Sequence, residues 1–366
     1  MSEKDQNALD EDEKAERKHF HRVINAFRCY RSHSLRRVAI SEQYFMGLPD
    51  RHKAMLPNFL KSRKALRTCI DANYEVLKEV INNTNQMFVN KDHGPIEEDP
   101  GMPASDFDMD RVVTTLKQIM RDWSGEGKAE RDACYAPVIE EIVAQFPKEK
   151  CDPGKISVLV PGAGLGRLAF EIALRGYQTQ GNEFSFFMLF TSNFILNRCR
   201  DTNIFTLYPW IHQYCNNKKI EDQRHPVHFP DINPADLNGE TDFSMTAGDF
   251  LEVYNESETW NCVSTVYFID TAHNIVAYVE AIYKILKPGG IWINFGPLLY
   301  HFAEVANESS VELSYEEVRK VIKMCNFTLL KEQTDIKSTY TQNPRSMLQY
   351  QYNCVFFVAQ KPITKC

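Results

Sequence analysis

Apolar positions in this chain change period near residue 156. Before it, Val38, Tyr44, Leu56, Leu60, Leu66, Ile70, Tyr74, Leu77 and Ile81 recur at helical spacings, which predicts several helices over residues 19–90 with breaks at Pro49 and Pro57. Residues 92–110 mix acidic side chains with Pro95, Pro100 and Pro103 and read as a surface loop. Helical patterns resume over 111–123 and 131–146. Beyond 156, short apolar runs alternate with helices. Strands are predicted at 157–160, 178–182, 243–247, 260–269, 290–295, 328–333 and 354–359, and helices at 167–174, 185–198, 275–286 and 315–324. Ser314 with Glu317 forms a capping box for the last helix. Alternation of this kind predicts an α/β fold: a seven-stranded doubly wound sheet with its ligand at the carboxyl ends of the strands. The predicted organisation is a helical N-terminal extension with an acidic, proline-bearing linker over 1–107, then a second domain over 108–366. That domain includes the helices before the sheet and an insertion near 200–240, read as a lid, a substrate wall or a surface excursion.

Residues 156–183, ISVLVPGAGLGRLAFEIALRGYQTQGNE, hold the most informative local signal. They read as strand, glycine turn, helix and strand. Gly162, Gly164 and Gly166 lack side chains where the backbone must turn and approach a ligand, and the next helix offers unpaired N–H groups. Glu183 is placed to accept hydrogen bonds from ribose hydroxyls. A dinucleotide fingerprint needs a third glycine where Arg167 stands. The GxGxG string instead resembles motif I of the class I S-adenosylmethionine-dependent methyltransferases, which implies their Rossmann-like fold. After the third predicted strand, Gly248, Asp249 and Phe250 match the place where that class meets adenine. The aspartate suits the exocyclic amine and the phenylalanine an apolar contact, although a loop-capping aspartate reads the same way. Residues 286–290, LKPGG, match the turn before the fifth strand.

The acceptor side is more distinctive. Asp270, Thr271, Ala272, His273 and Asn274 follow the fourth strand, where methyltransferases of exocyclic amide or base nitrogens carry an Asn/Asp-Pro-Pro-aromatic loop. This chain lacks that loop, and its carboxylate and imidazole suit a polar or ring-nitrogen acceptor. Asp270 reads either as a functional carboxylate or as a helix N-cap, and His273 as a substrate contact or an ordinary packed or surface histidine. Beyond the fifth strand His301 stands among aromatic residues in GPLLYHF, and Tyr340, Tyr350 and Tyr352 offer hydroxyls near the last strand. His212-x-x-Cys215 and His225-x-x-His228 are a metal decoy: the pairs reproduce no strong zinc spacing, so no metal is expected.

Composition narrows the picture further. The 366 residues carry 43% hydrophobic and 25% charged side chains and a net charge of -7, which gives no whole-chain footprint for nucleic acid or an anionic membrane. The basic cluster Arg28, Arg31, Arg36 and Arg37 is expected on a solvated helix face or paired with the acidic start. Ten cysteines without regular spacing suggest free thiols in a reducing compartment. The polar first eighteen residues carry no secretory or membrane-anchor pattern, so the cytoplasm, with the nucleus also open, is the expected location.

Taken together, VLVPGAGLGRLAFEIALRGYQTQGNEFS, AGDF, YFIDTAHN, LKPGGIWINFGPLLYHF and QYQYNCVFFVAQK resemble the carnosine N-methyltransferase family over residues 111–361. The resemblance implies transfer of a methyl group from S-adenosylmethionine to the imidazole of carnosine, giving anserine and S-adenosylhomocysteine, and a homodimer. By matching motif, it assigns Gln118, Arg121, Gly162, Gly164, Glu183, Asp249 and Phe250 to the cofactor. Asp270 and His301 would act on the substrate imidazole, and Tyr340 and Tyr352 would hold the rest of the dipeptide; His273, from the reading of the residues themselves, is a further acceptor-site candidate. A protein-histidine methyltransferase, and a noncatalytic RNA-associated protein of the same fold, remain the other readings.

Overall fold

A computed structural model describes residues 3–82, 84, 87, 103–237, 239 and 241–363. The expected linker at 92–110 lies outside the described residues as far as 102, and its last part is helical. The chain forms two compact units: residues 1–126, 186–234 and 343–349 make one, and 127–185, 235–342 and 350–366 the other. Where the sequence divides the chain near 107, contacts therefore group the next helix and the segment after residue 185 with the N-terminal helices.

The first unit is a helical layer. Its long α1, Glu3–Met46, absorbs the charged start that the sequence leaves outside the helices. A short α2, Asp50–Ala54, follows Pro49, which suits the position before a first helical turn. Then come α3, Phe59–Ile81, and α4, Asp106–Trp123, capped by Ser105. Within the insertion, residues 205–207 and 227–229 pair as a two-stranded antiparallel sheet in this unit. Phe20 of α1 packs edge-on against Phe186 and Phe190 at 5.5 and 5.1 Å, and Asn73 of α3 both accepts from and donates to the backbone of Tyr208. Arg31 pairs with Asp71 at 2.7 Å and Arg37 lies over the Tyr214 ring, so these two members of the basic cluster meet other helices and loops rather than the acidic start.

In the second unit, α5, Lys128–Cys134, and α6, Ala136–Gln145, replace the single predicted helix, with Pro137 in the first turn of α6. The sheet strands are β1, Ser157–Pro161; β2, Gln178–Glu183; β5, Phe243–Ala247; β6, Trp260–Val266; β7, Leu286–Gly296; β8, Thr328–Ser338; and β9, Tyr352–Gln360. Strands β3, Phe205–Leu207, and β4, Val227–Phe229, are the pair in the first unit. Their order is β5-β2-β1-β6-β7-β9-β8, parallel except for β9, which runs against both neighbours. This is the class I methyltransferase sheet. Alternation along β1 sends Val158 and Val160 into a core under α6 and α7, Arg167–Ala173, while Leu159 joins the opposite core under α10, Ile275–Ile285, and α11, Tyr315–Met324. Both faces are covered, as a parallel sheet requires. Two remaining helices are α8, Phe186–Arg198, in the first unit, and the four-residue α9, Phe250–Val253. The Ser314–Glu317 box is present, with Ser314 N–H donating to Glu317 Oε2 at 2.8 Å.

Strand β6 stops three residues short of its predicted end. Tyr267 has a φ of +53°, a left-handed conformation that ends extended pairing, and residues 269–271 then form a short 3-10 turn. Apolar character continues through Ile269, so the sequence reads onward as strand. Backbone conformation decides otherwise.

Candidate active site

Three neighbouring strands, β5, β2 and β1, end at one group: glycine backbone and two carboxylates. Gly162, Gly164 and Gly166 all have positive φ, of 64°, 55° and 78°. A Cβ at Gly162 would stand 2.4 Å from the Phe268 ring, so this position excludes side chains sterically as well as conformationally. Glu183 is fixed by three backbone donors: Gly164 N–H to Oε2, and Phe184 and Ser185 N–H to Oε1, each at 2.8 Å. Burial raises its pKa, and these three bonds oppose the shift. Oε1 already accepts twice, so the open acceptor site is on Oε2, where a hydroxyl can donate. Asp249 caps α9 by accepting from Leu251 N–H at 2.7 Å through Oδ1. The Phe250 ring is 2% exposed and packs on Phe268, Tyr278 and Tyr254, so it forms part of the wall's interior. This glycine and carboxylate set fits an adenosyl cofactor. Gly181 of β2 is held to glycine by packing: a Cβ there would meet Met245 at 2.4 Å and Ala163 at 2.9 Å.

The second group gathers beyond β6 and β7. Asp270 is 3% exposed and accepts from Leu299 N–H at 2.7 Å through Oδ2, while its carbonyl accepts from His301 N–H at 3.1 Å. One residue thus stitches the IDTAHN turn to the GPLLYHF loop. Desolvation pushes its carboxyl up to about 6, with the Leu299 N–H holding it back. Asp270 is not the cap of α10: Asn274 holds that place, accepting from Val276 N–H at 3.0 Å. The exposed His301 shares the Asp270 turn through its backbone. His273 is exposed, with Nδ1 2.9 Å from the Ser309 carbonyl and its ring stacked on Phe302 at 3.6 Å, so it clasps the loop after β7. Tyr352 is half-buried, and burial first, then the Tyr350 and Asp270 charges, raise its hydroxyl pKa.

Tyr267 stands at the centre of the aromatic residues here, yet nothing in its sequence setting distinguishes it from an ordinary strand tyrosine. Its ring lies 4.7 Å from that of Tyr340 and 6.3 Å from that of Tyr352. Its hydroxyl donates to Ser338 Oγ at 2.8 Å, and its N–H to the Phe295 carbonyl at 2.9 Å. Gly296 lets this strand end approach: a Cβ there would lie 3.2 Å from Tyr267 N.

Gln118 and Arg121 lie on α4 in the first unit, both buried, with Arg121 Nη1 2.7 Å from Asp122 Oδ1. The metal decoy is dispersed. His212 Nε2 is 3.0 Å from the Tyr30 hydroxyl, His225 meets Glu126, His228 Nδ1 is 2.9 Å from Thr206 Oγ1, and Cys215 is exposed. Burial lowers the His212 pKa to about 4. Among the described residues no three His, Cys, Asp or Glu side chains gather as a metal site. No described helix is long and apolar enough to cross a membrane.

Comparison with known proteins adds the family. The carnosine N-methyltransferase family model matches residues 99–363. A carnosine N-methyltransferase of Rattus norvegicus is 54% identical over 353 residues, covering 96% of this chain and 88% of the relative. Those of Drosophila melanogaster and Schizosaccharomyces pombe are 41% and 39% identical, covering 96% and 92% of this chain and 81% and 94% of their own lengths. With the sheet order, the glycine turn and the buried Asp270 in place, this chain belongs to the carnosine N-methyltransferase family.

Proposed function

We propose that the chain transfers a methyl group from S-adenosylmethionine to the imidazole nitrogen of carnosine nearest the side-chain attachment, giving anserine and S-adenosylhomocysteine. Family membership supports the substrate, and buried Asp270 is the observation that carries the chemistry. When bound, S-adenosylmethionine supplies an electrophilic methyl on a sulfonium. Gly162 and Gly164 would admit its amino acid part, Glu183 its ribose and Asp249 its adenine, with Phe250 behind.

A neutral imidazole already carries the attacking lone pair on one nitrogen, so no strong base is required before transfer. The proton must sit on the other nitrogen. Asp270 would accept that N–H, select the tautomer, fix the ring and stabilise the imidazolium that forms as the N–C bond is made and the C–S bond breaks. The departing proton then leaves from the nitrogen facing Asp270, with His301 orienting the substrate or relaying the proton. Tyr340 and Tyr352 would hold the dipeptide and exclude water, and His273 would line the acceptor side through its loop. The same reading includes a homodimer, a cytoplasmic setting with the nucleus also open and no resident metal. Light scattering, fractionation and metal analysis address these in turn.

The deciding experiment incubates the chain with carnosine and S-adenosylmethionine and locates the product methyl by NMR after mass spectrometry. Anserine is expected. A methyl on the remote ring nitrogen, or transfer to protein histidines alone, overturns the assignment.

A further inference from the structure

Glu130 lies on α5, outside every motif that points to the acceptor. Its Oε1 accepts from the Thr339 hydroxyl at 2.7 Å and from the Gln342 N–H at 3.0 Å, and its Oε2 accepts from the Thr341 N–H at 2.9 Å. One carboxylate therefore engages residues on both sides of Tyr340. Thr341 has a φ of +49°, a backbone setting that a β-branched residue keeps only when its surroundings hold it. The tether continues past the loop. Gln342 Oε1 accepts from the Tyr350 N–H at 2.7 Å, and the Tyr350 ring lies 6.2 Å from that of Tyr352. On the opposite side, the Tyr267 hydroxyl holds Ser338 and its ring faces Tyr340.

The geometry points to Glu130 as a positioning residue for the acceptor: its carboxylate holds the residues that flank Tyr340 and, through Gln342, the Tyr350 backbone beside Tyr352. The inference rests on the proposed acceptor role of Tyr340 and Tyr352. Orientation bought in advance this way shows in acceptor binding rather than in the cofactor. A brace that only stabilised the fold would lower Tm and leave the acceptor KM alone.

Glu130→Ala and Glu130→Gln distinguish the two. Glutamine keeps one oxygen for Thr339 and Gln342 but turns an amide donor toward Thr341 N–H, so its effect is the smaller and its folding the safer. Relative to the parent, Glu130→Ala is expected to raise the carnosine KM about tenfold, with kcat at saturation and cofactor Kd within about twofold. Hydrogen exchange on the ligand-free chain should show lost protection at Thr341 in both variants, and at Gln342 and Tyr350 as well in Glu130→Ala, while β1 and β6 stay protected. An unchanged KM in both variants, or unchanged protection at these amides, overturns the inference. A parent that leaves carnosine unmethylated would defeat the functional reading instead, and the exchange measurement would still decide whether Glu130 holds the tyrosine wall.

Discussion

The proposed cofactor edge and the proposed acceptor edge of the sheet are fixed by different means. At the ends of β1, β2 and β5, neighbouring backbone does the holding: positive-φ glycines turn the chain, and Gly164, Phe184 and Ser185 N–H groups grip Glu183. Beyond β6 and β7, residues remote in sequence hold one another, as Leu299 and His301 hold Asp270, Ser309 holds His273, and Glu130 holds the loop around Tyr340. An edge of the first kind binds one unvarying ligand. The second kind can be reshaped around an acceptor by changing loops while the sheet stays as it is.

The largest expected effect tests the acceptor edge at its centre. Asp270→Asn keeps an oxygen for Leu299 N–H but loses the charge proposed to select the tautomer, and kcat should fall about 10³-fold with cofactor Kd within twofold. Stability should move the other way. The folded pKa is raised to about 6 from 3.8, so the native state binds the proton more tightly, and the cost of ionisation grows as pH rises between those values. At pH 7 the asparagine variant should therefore be more stable by about 2 kcal/mol, a gain that fades toward pH 4. Calorimetry across that range, beside kinetics, checks both signs. A variant that is both slower and less stable would make Asp270 a structural strut.

Gly162→Ala attacks the other edge. Its Cβ must enter the space of the Phe268 ring at positive φ, so we expect cofactor Kd to weaken at least tenfold and stability to fall by about 1–3 kcal/mol. Calorimetric titration measures the first. The more instructive number is kcat at saturating cofactor. Phe268 stands two residues before Asp270, and a large loss there would show the two edges to be mechanically joined through this ring.

The pH profile sharpens the same contrast. Below about pH 6 both Asp270 and the free acceptor imidazole take up protons, so log(kcat/KM) for the parent should fall with a slope approaching 2. In Asp270→Asn only the imidazole titrates, and the slope should be 1. Equal slopes would remove Asp270 from the titrating pair. The cofactor Kd should not follow this limb.

The two edges also differ in how far they could be read in advance. Seven strands and the helices α7, α10 and α11 of the sheet unit follow from periodicity, and the glycine turn with Glu183 follows from one contiguous string, because the contacts that make it are local. Tyr267 and Glu130 were not legible. A positive φ at a tyrosine inside an apolar run has no sequence signature, and Glu130 meets Thr339–Gln342 only after a long stretch of chain has folded between them. The missed folding of residues 199–234 has the same origin: its partners are helices that precede it by over a hundred residues. Asp270 lies between these cases, its type visible and its burial not.

The smallest expected effect separates two neighbours within one loop. Asn274 caps α10 by accepting from Val276 N–H, and Asp270, four residues earlier, takes no part in the cap. Asn274→Ala should cost about 1 kcal/mol of stability, the usual worth of such a cap. Chemical denaturation reads that loss, and kcat should stay within about twofold of the parent because the Asp270 contact to Leu299 is left in place. A kcat loss as large as that of Asp270→Asn would mean that the helix start itself aims the carboxylate. The acceptor edge would then depend on local capping much as the cofactor edge depends on its glycines, and the contrast between them would narrow to the identity of the ligand.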